Sequence, residues 1–353
     1  MFLKFINLNT FIGNSEKTFI IAEVGQNHQG DIKLAKKLIK TAKECGADCV
    51  KFQKTCPEEK FNKLALTRPY ISPNSFGPTY GDHKAYLEFN ENEFLDLQKY
   101  ADDLGIFFTA SAMDAKSLDL LIECKVPFIK IGSGDSNNSL LIEKAAKTGI
   151  PLIISTGMLE LDAVKTIYNL VSKYHKKFVL LHCVSAYPAP FEDINLSVVT
   201  LFKREFPDIT IGYSGHELGT HISTAAVALG CKVIERHITL DKTQKGSDHC
   251  CSLEPDEFKM LVDNIRNVEK AMGQPVKVMQ NSELPCYEKL GKTLVYTKDL
   301  CKGHILSIND LNIKVAEPKG INGTKLNDVL GKTLTVDVEE DGSVLEEHLD
   351  SII

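Results

Sequence analysis

Ile209-Thr-Ile-Gly-Tyr-Ser-Gly-His216 and Cys231-Lys-Val-Ile-Glu-Arg-His237 decide how this chain is read. Each is a short β-branched run that closes on a histidine, and the segment between them, 217–230, is periodic like a helix. If the two runs are parallel neighbours, His216 and His237 stand side by side at the C-terminal ends of their strands. Whether they are neighbours depends on the pattern of the rest of the chain.

That pattern repeats. Thr18-Phe-Ile-Ile-Ala-Glu-Val24 is a continuous apolar run, as a strand buried on both faces requires. From Asp31 to Cys45, Ile32, Ala35, Ile39 and Ala42 fall on one face, with lysines outside and Gly46 as a stop, which predicts a helix. Asp48 to Lys54 is the second strand. Further strands are expected near 105–110, 127–133, 151–156, 177–183, 209–214 and 231–237, with helical segments near 91–104, 115–124, 138–148, 160–173, 195–206, 217–230 and 255–272. Eight strands alternating with eight helices predict an α/β fold, a (β/α)8 TIM barrel, over residues 1–275. No GxGxxG or GxxxxGK[ST] draws the chain towards a nucleotide-binding sheet. In a barrel the last two strands are adjacent, so the two histidines meet.

After about residue 275 the pattern changes. Residues 276–288 read as a linker, and 289–353 as a small β-rich domain in which Leu290-Gly-Lys-Thr-Leu294 recurs as Leu330-Gly-Lys-Thr-Leu334. A unit of that size is marginal alone. The 55–90 connection is long, rich in Pro, Tyr and Gly, and carries Lys60, Lys63, Arg68, His83 and Lys84, which suggests a substrate lid.

The bulk numbers narrow the function. With 353 residues, 43% of them hydrophobic, and a formal charge of −6, the chain can bury a large core and gives no sign of binding nucleic acid or a membrane surface. The N-terminal stretch MFLKFINLNTFIGNSEK lacks a basic region followed by a signal-length apolar run. Ten cysteines without a CxxC spacing read as free thiols, so a cytoplasmic protein is expected.

Polar residues gather where barrel chemistry is done, at the strand ends. These are Glu23; Lys51 and Gln53; Thr109 and Ser111; Lys130 and Ser133; Ser155 and Thr156; Ser185 and Tyr187; Ser214 and His216; Glu235 and His237. Lys51 and Lys130 lie inside apolar runs, and an unpaired buried ammonium is costly, so they require an anion. Hydroxyls around two lysines suit a phosphate or carboxylate. Two imidazoles with carboxylates nearby suit a divalent ion acting as a Lewis acid, not a closed structural zinc site. The residues thus give a barrel enzyme with an anionic substrate beside a metal, and leave the reaction open.

Seven segments resemble the sialic acid synthases, in particular their animal form: IAEVGQNHQGD (21–31), ADCVKFQK (47–54), FIKIGSGDSNN (128–138), ISTGM (154–158), SAYP (185–188), IGYSGHE (211–217) and ERHITLDKTQKGSDH (235–249). The tail resembles their antifreeze-protein-like (SAF) domain. The resemblance implies condensation of phosphoenolpyruvate with the open-chain aldehyde of N-acetylmannosamine 6-phosphate to give N-acetylneuraminate 9-phosphate. The free sugar, or the precursor of another nonulosonic acid, is the alternative. It implies that His216 and His237 hold Mn2+ or Mg2+, and that Lys51, Thr109, Lys130, Ser133, Ser155, Ser185 and Ser214 surround phosphoenolpyruvate. Glu23 is then the acid/base, and Gln53, Tyr187 and Asp248 contact the sugar. Lys60, Lys63, Arg68 and His83 are candidates for its phosphate. A homodimer is implied, with the tail of one copy over the barrel of the other. The sequence departs from bacterial members in two places: Ser185 replaces an asparagine, and Lys314-Val-Ala-Glu-Pro-Lys-Gly320 has no arginine to reach the partner's sugar site, leaving Lys319 as a weak substitute. A binding module on an inert barrel would show eroded catalytic positions, and here they are intact.

Overall fold

Alternation of buried apolar strands with one-faced helices produces a closed barrel in the computed structural model, which describes residues 17–350. Most of the N-terminal stretch judged for a signal sequence lies outside the described residues. The strands are β1 (Phe19–Gly25), β2 (Cys49–Lys54), β3 (Phe107–Ala112), β4 (Ile129–Ile131), β5 (Leu152–Ser155), β6 (Phe178–Cys183), β7 (Thr210–Gly215) and β8 (Val233–His237). All are parallel to their neighbours, and β8 closes on β1. The helices that follow them are α1 (Ile32–Glu44), α2 (Glu91–Leu104), α3 (Ala115–Glu123), α4 (Ser139–Lys147), α5 (Leu161–Ser172), α6 (Val198–Glu205), α7 (His221–Ala228) and α8 (Pro255–Met272). Asp31 caps α1 by accepting from the amides of Lys33 and Leu34, and Asn90 makes a capping box with Glu93 at the start of α2.

Period-two alternation sorts each strand into a helix-facing and a lumen-facing set. The floor of the lumen is apolar: Phe19, Ile21, Cys49, Phe107, Phe128, Ile153, Val179, Leu181 and Val233 form one buried cluster. One further lumen step along these strands gives Glu23, Lys51, Thr109, Lys130, Ser155, Cys183 and Glu235, and register confirms the level, with Lys51 opposite Thr109 and Ser214 opposite Glu235. The apolar floor excludes water beneath a polar layer, which raises the strength of every electrostatic contact above it.

The 55–90 connection is more ordered than a lid of Pro, Tyr and Gly suggests. It contains three short helices, Pro57–Lys60, Lys63–Thr67 and Tyr80–Leu87. Edge-to-face pairs Phe61–Tyr80 and Tyr70–Tyr80, and a stacked Phe76–Tyr86, hold them together. Its tip is tied to the loop after β8, where Asn74 Oδ1 accepts from the Gly246 amide.

The described residues fall into two compact units that divide between Gly273 and Gln274. The second is a small β unit: β9 (Thr293–Tyr296) pairs antiparallel with β10 (Leu311–Lys314). Its core includes Leu294, Tyr296, Leu306, Leu334 and Val344. Leu294 and Leu334, the last residues of the two Leu-Gly-Lys-Thr-Leu copies, are both buried, so the duplication places equivalent side chains in one core. The stretch read as a linker contains the start of an exposed helix, Leu284–Leu290. No helix among the described residues is long and apolar enough to cross a membrane.

Candidate active site

The polar layer opens into a cavity of about 410 Å3 at the C-terminal mouth of the barrel. Two buried ion pairs organise its base. Lys51 Nζ lies 2.6 Å from Glu23 Oε2 and 3.0 Å from Ser111 Oγ. Lys130 Nζ lies 2.8 Å from Ser155 Oγ and 3.0 Å from the Ile131 carbonyl. Glu235 Oε1 stands 3.7 Å from both ammonium groups and accepts from Ser214 Oγ at 3.2 Å. Burial pushes the Glu23 carboxyl up to about 7, only partly offset by Lys51. Burial pulls Lys130 down, whereas at Lys51 the two glutamates outweigh it and raise the ammonium. Burial also acts on Glu235, but Lys130 and Lys51 override it and keep that carboxylate ionised. One carboxyl close to neutrality beside one held ionised is an acid/base arrangement.

The two histidines are adjacent as the barrel requires, with ring centroids 5.4 Å apart. His216 Nδ1 is 2.8 Å from the Val184 carbonyl, which fixes a proton there; burial opposes a charge on this ring, but Cys183 and that carbonyl outweigh it and raise its pKa. Burial holds His237 neutral, down to about 3, against the pull of Asp248, whose Oδ2 is 3.9 Å from Nδ1. His237 Nδ1 is buried with no hydrogen-bond partner within the protein, as are Ser185 Oγ and Glu235 Oε2. Orphaned buried polar atoms are rare, and all three belong to residues lining this cavity. Among the described residues no three His, Cys, Asp or Glu side chains cluster as a metal cage. Two adjacent imidazoles, one of them held neutral with an orphaned nitrogen, nevertheless fit a divalent ion whose other positions come from water and substrate.

Glycines allow this crowding. Gly25, at φ +54°, ends β1, and a Cβ there would lie 3.2 Å from His237, 3.3 Å from Asp248 and 3.3 Å from Glu23. At Gly157 a Cβ would strike the Ser185 and Ser133 hydroxyls. Gly157 donates its amide to Ser133 Oγ at 3.1 Å.

Glu23, Lys51, Gln53, Lys60, Lys130, Ser133, Ser155, Ser185, Tyr187, Ser214, His216, His237 and Asp248 all line the cavity. Gln53 Nε2 donates to Glu23 Oε1 at 3.4 Å, and the half-exposed Tyr187 ring lies 4.1 Å from that of His216. Thr109 is at the right level but outside the lining, because its hydroxyl donates to the Phe128 carbonyl at 2.7 Å. Lys63, Arg68 and His83 are also outside it. Lys63 and Arg68 are exposed, and His83 is buried among aromatic rings. In the second unit, Lys319 Nζ donates to the Gly291 carbonyl at 2.6 Å. The cavity also contains Gln26, Tyr80, Asp135 and Cys183, which sequence reasoning did not select, and Lys84, which it named only as a cation of the long connection. Two of these had a signal. Cys183 follows Val179 and Leu181 on the lumen side of β6, and Lys84 lies four residues after Tyr80, on the same face of their helix.

The model of the NeuB family matches residues 38–277, and that of the SAF domain matches 291–350. The N-acetylneuraminate-9-phosphate synthase of Homo sapiens is 52% identical over 341 residues, covering 97% of this chain and 95% of that protein. The enzyme of the same name from Drosophila melanogaster is 46% identical, covering 94% and 95%. Among solved structures, the N-acetylneuraminic acid (sialic acid) synthetase of Leptospira borgpetersenii is 35% identical with a TM-score of 0.68, covering 77% of this chain and 91% of that one. On the barrel, its polar cavity and these matches together, the chain belongs to the NeuB family, the sialic acid synthases, and carries a SAF domain after the barrel.

Proposed function

We propose that this protein condenses phosphoenolpyruvate with the open-chain aldehyde of N-acetylmannosamine 6-phosphate and water, giving N-acetylneuraminate 9-phosphate and phosphate. The observation that carries this reading is the cavity base. Two buried ammonium groups lie among serine hydroxyls, beside two adjacent imidazoles and a carboxyl with a pKa near 7. The names of the human and fly relatives support the choice of substrates.

Lys51 and Lys130, with Ser133, Ser155, Ser185 and Ser214, bind the charged groups of phosphoenolpyruvate and fix its C3 towards the mouth. Gln53, Tyr187 and Asp248 orient the sugar hydroxyls. His216 and His237 would hold Mn2+ or Mg2+, which would supply Lewis acidity for the aldehyde. C3 of the enol bonds to the aldehyde carbon, and the aldehyde oxygen takes a proton from the Glu23 carboxyl and ends as a hydroxyl. Water adds at the electron-poor C2, its proton passing to Glu23. The bond from C2 to the phosphate oxygen then breaks, leaving a ketone and free phosphate.

A phosphate-release assay tests the reading. Release is expected only when phosphoenolpyruvate, the sugar phosphate and Mn2+ or Mg2+ are present together, to be abolished by EDTA and restored by metal. No release from either the phosphorylated or the free sugar, with metal added, overturns it. Ten free cysteines, two of them in the barrel floor and cavity (Cys49 and Cys183), support a reducing, cytoplasmic setting.

We also propose a homodimer. The family resemblance supports this, and Ile305 and Ile308 on the second unit, 62% and 56% exposed, are available to a second copy. Sedimentation velocity is expected to give about twice the 39.2 kDa chain mass. A monomer at micromolar concentration, with or without substrate, counts against it.

A further inference from the structure

The cavity holds four lysine and aspartate or glutamate pairs' worth of charge, and all but one of its lysines has a counter-ion. Lys51 is matched by Glu23 and Lys130 by Glu235. Lys60 Nζ lies 3.1 Å from Asp135, which comes from the turn after β4. Asp248 is directed to His237. Lys84 remains. Its side chain is half-buried, yet no carboxylate among the described residues lies within ion-pair distance of its ammonium. Gln26 Oε1 is 3.2 Å away and the Tyr80 ring 5.5 Å away. Burial accordingly pulls its pKa down, and Asp248 only partly opposes this. A half-buried ammonium aimed into a substrate cavity without a carboxylate is short of an anion.

Apart from Lys60, the other cations of the same connection (Lys63, Arg68 and His83) lie outside the cavity lining. The Arg68 guanidinium packs over the Tyr80 ring at 4.3 Å. The Lys245 ammonium, from the loop after β8, sits over Phe76 at 4.7 Å. Burial lowers His83 to about 4, so it is uncharged at neutral pH, and its Nδ1 accepts from the Phe76 amide at 3.2 Å. Phosphoenolpyruvate is already provided for by Lys51 and Lys130. The anion that Lys84 lacks is therefore a second one, carried by the other substrate.

We propose that Lys84 is the specificity residue of this enzyme, holding the phosphate of a phosphorylated sugar with Gln26 and Tyr80 beside it. The proposal rests on the function proposed above and adds the residue that separates the phosphorylated sugar from the free one. Lys60 is predicted to contribute less, because its charge is already offset by Asp135.

The test compares wild type, Lys84→Met and Lys84→Arg as full chains with N-acetylmannosamine 6-phosphate and N-acetylmannosamine. A charged hydrogen bond contributes about 1.5–3 kcal/mol, so kcat/KM for the phosphorylated sugar is expected to fall by roughly 10- to 150-fold in Lys84→Met. With the free sugar, and in KM for phosphoenolpyruvate, the change is expected to stay within about threefold, and Lys84→Arg is expected to recover most of the loss, since it restores the charge. Equal losses on the two sugars, or no loss on either, overturn the proposal. Calorimetric titration of both sugars into the same three proteins keeps the question separate from turnover. If wild type condenses neither sugar, the proposed reaction fails. Lys84 is then judged on binding alone, and it fails too unless Lys84→Met selectively weakens the sugar phosphate.

Discussion

Glu23→Gln is expected to lower kcat by roughly 10²- to 10⁴-fold, the range that a positioned general acid or base contributes, while phosphoenolpyruvate still binds. The amide keeps the shape of the carboxyl and cannot take a proton from water. Lys51 keeps Ser111 at 3.0 Å and Glu235 at 3.7 Å, so the ammonium is not stranded. Binding and chemistry should therefore separate in this variant, with KM for phosphoenolpyruvate changing far less than kcat. Lys51→Met provides the contrast. It leaves Glu23 and Glu235 buried without that cation, and both binding and folding should suffer. Steady-state kinetics with a phosphate-release readout, alongside thermal melting of each protein, tests the pair. A Glu23→Gln enzyme within tenfold of wild-type kcat removes Glu23 from the proton-transfer role.

The contrast between what was readable in the sequence and what was not has a physical basis. Lumen-facing residues recur with period two on strands whose ends are marked by glycine and apolar runs. Glu23, Lys51, Lys130, Ser155, Ser214, Glu235 and His237 could therefore be placed at the C-terminal ends of their strands from the sequence. Thr109 obeys the same rule but spends its hydroxyl on the wall, a hydrogen bond that depends on where β4 begins. The 55–90 connection has no such period. Its cations were visible, but their directions follow from the packing of aromatic rings far apart in sequence, such as Phe61 on Tyr80 and Phe76 on Tyr86. Lys84 faces the cavity and Arg68 does not, and composition alone treats them alike. Strand and helix ends moved by a few residues where local chemistry intervened. β4 stops at Ile131 because Ser133–Asp135 turns into a 3-10 helix, and α6 starts only at Val198, after the short helix Phe191–Ile194.

Behind the two histidines lies a feature that the sequence hid, because its residues read as part of the motifs themselves. Glu217 follows His216, Arg236 precedes His237, and both are fully buried on the helix side of the strands. Arg236 donates to Glu217 Oε1, the Gly219 carbonyl and Ser223 Oγ, and to the Glu217 carbonyl at 2.6 Å. Tyr213 Oη donates to the other Glu217 oxygen at 2.7 Å. The network thus links the chain just after β7 to the end of β8, beside the two imidazoles. Removing one member leaves an uncompensated buried charge, and Glu217→Ala or Arg236→Ala is expected to cost about 3–5 kcal/mol. The urea midpoint of the barrel should fall by on the order of 1 M or more. Replacing both residues, as in Glu217→Leu/Arg236→Met, should be milder than either single change, because the apolar pair strands no charge. Arg236 Nε already lacks a partner, so the native network is not fully satisfied and stability alone does not explain it. A positional role predicts that the double variant regains stability but binds Mn2+ more weakly than wild type, since only the β7–β8 strand pairing then links the segments carrying His216 and His237. Urea titration and Mn2+ binding on the same three variants separate the two effects. Single variants within 1 kcal/mol of wild type (about a fivefold change in the folding equilibrium) would contradict the buried-charge argument. A double variant with wild-type Mn2+ affinity would show that the strands hold the histidines without it.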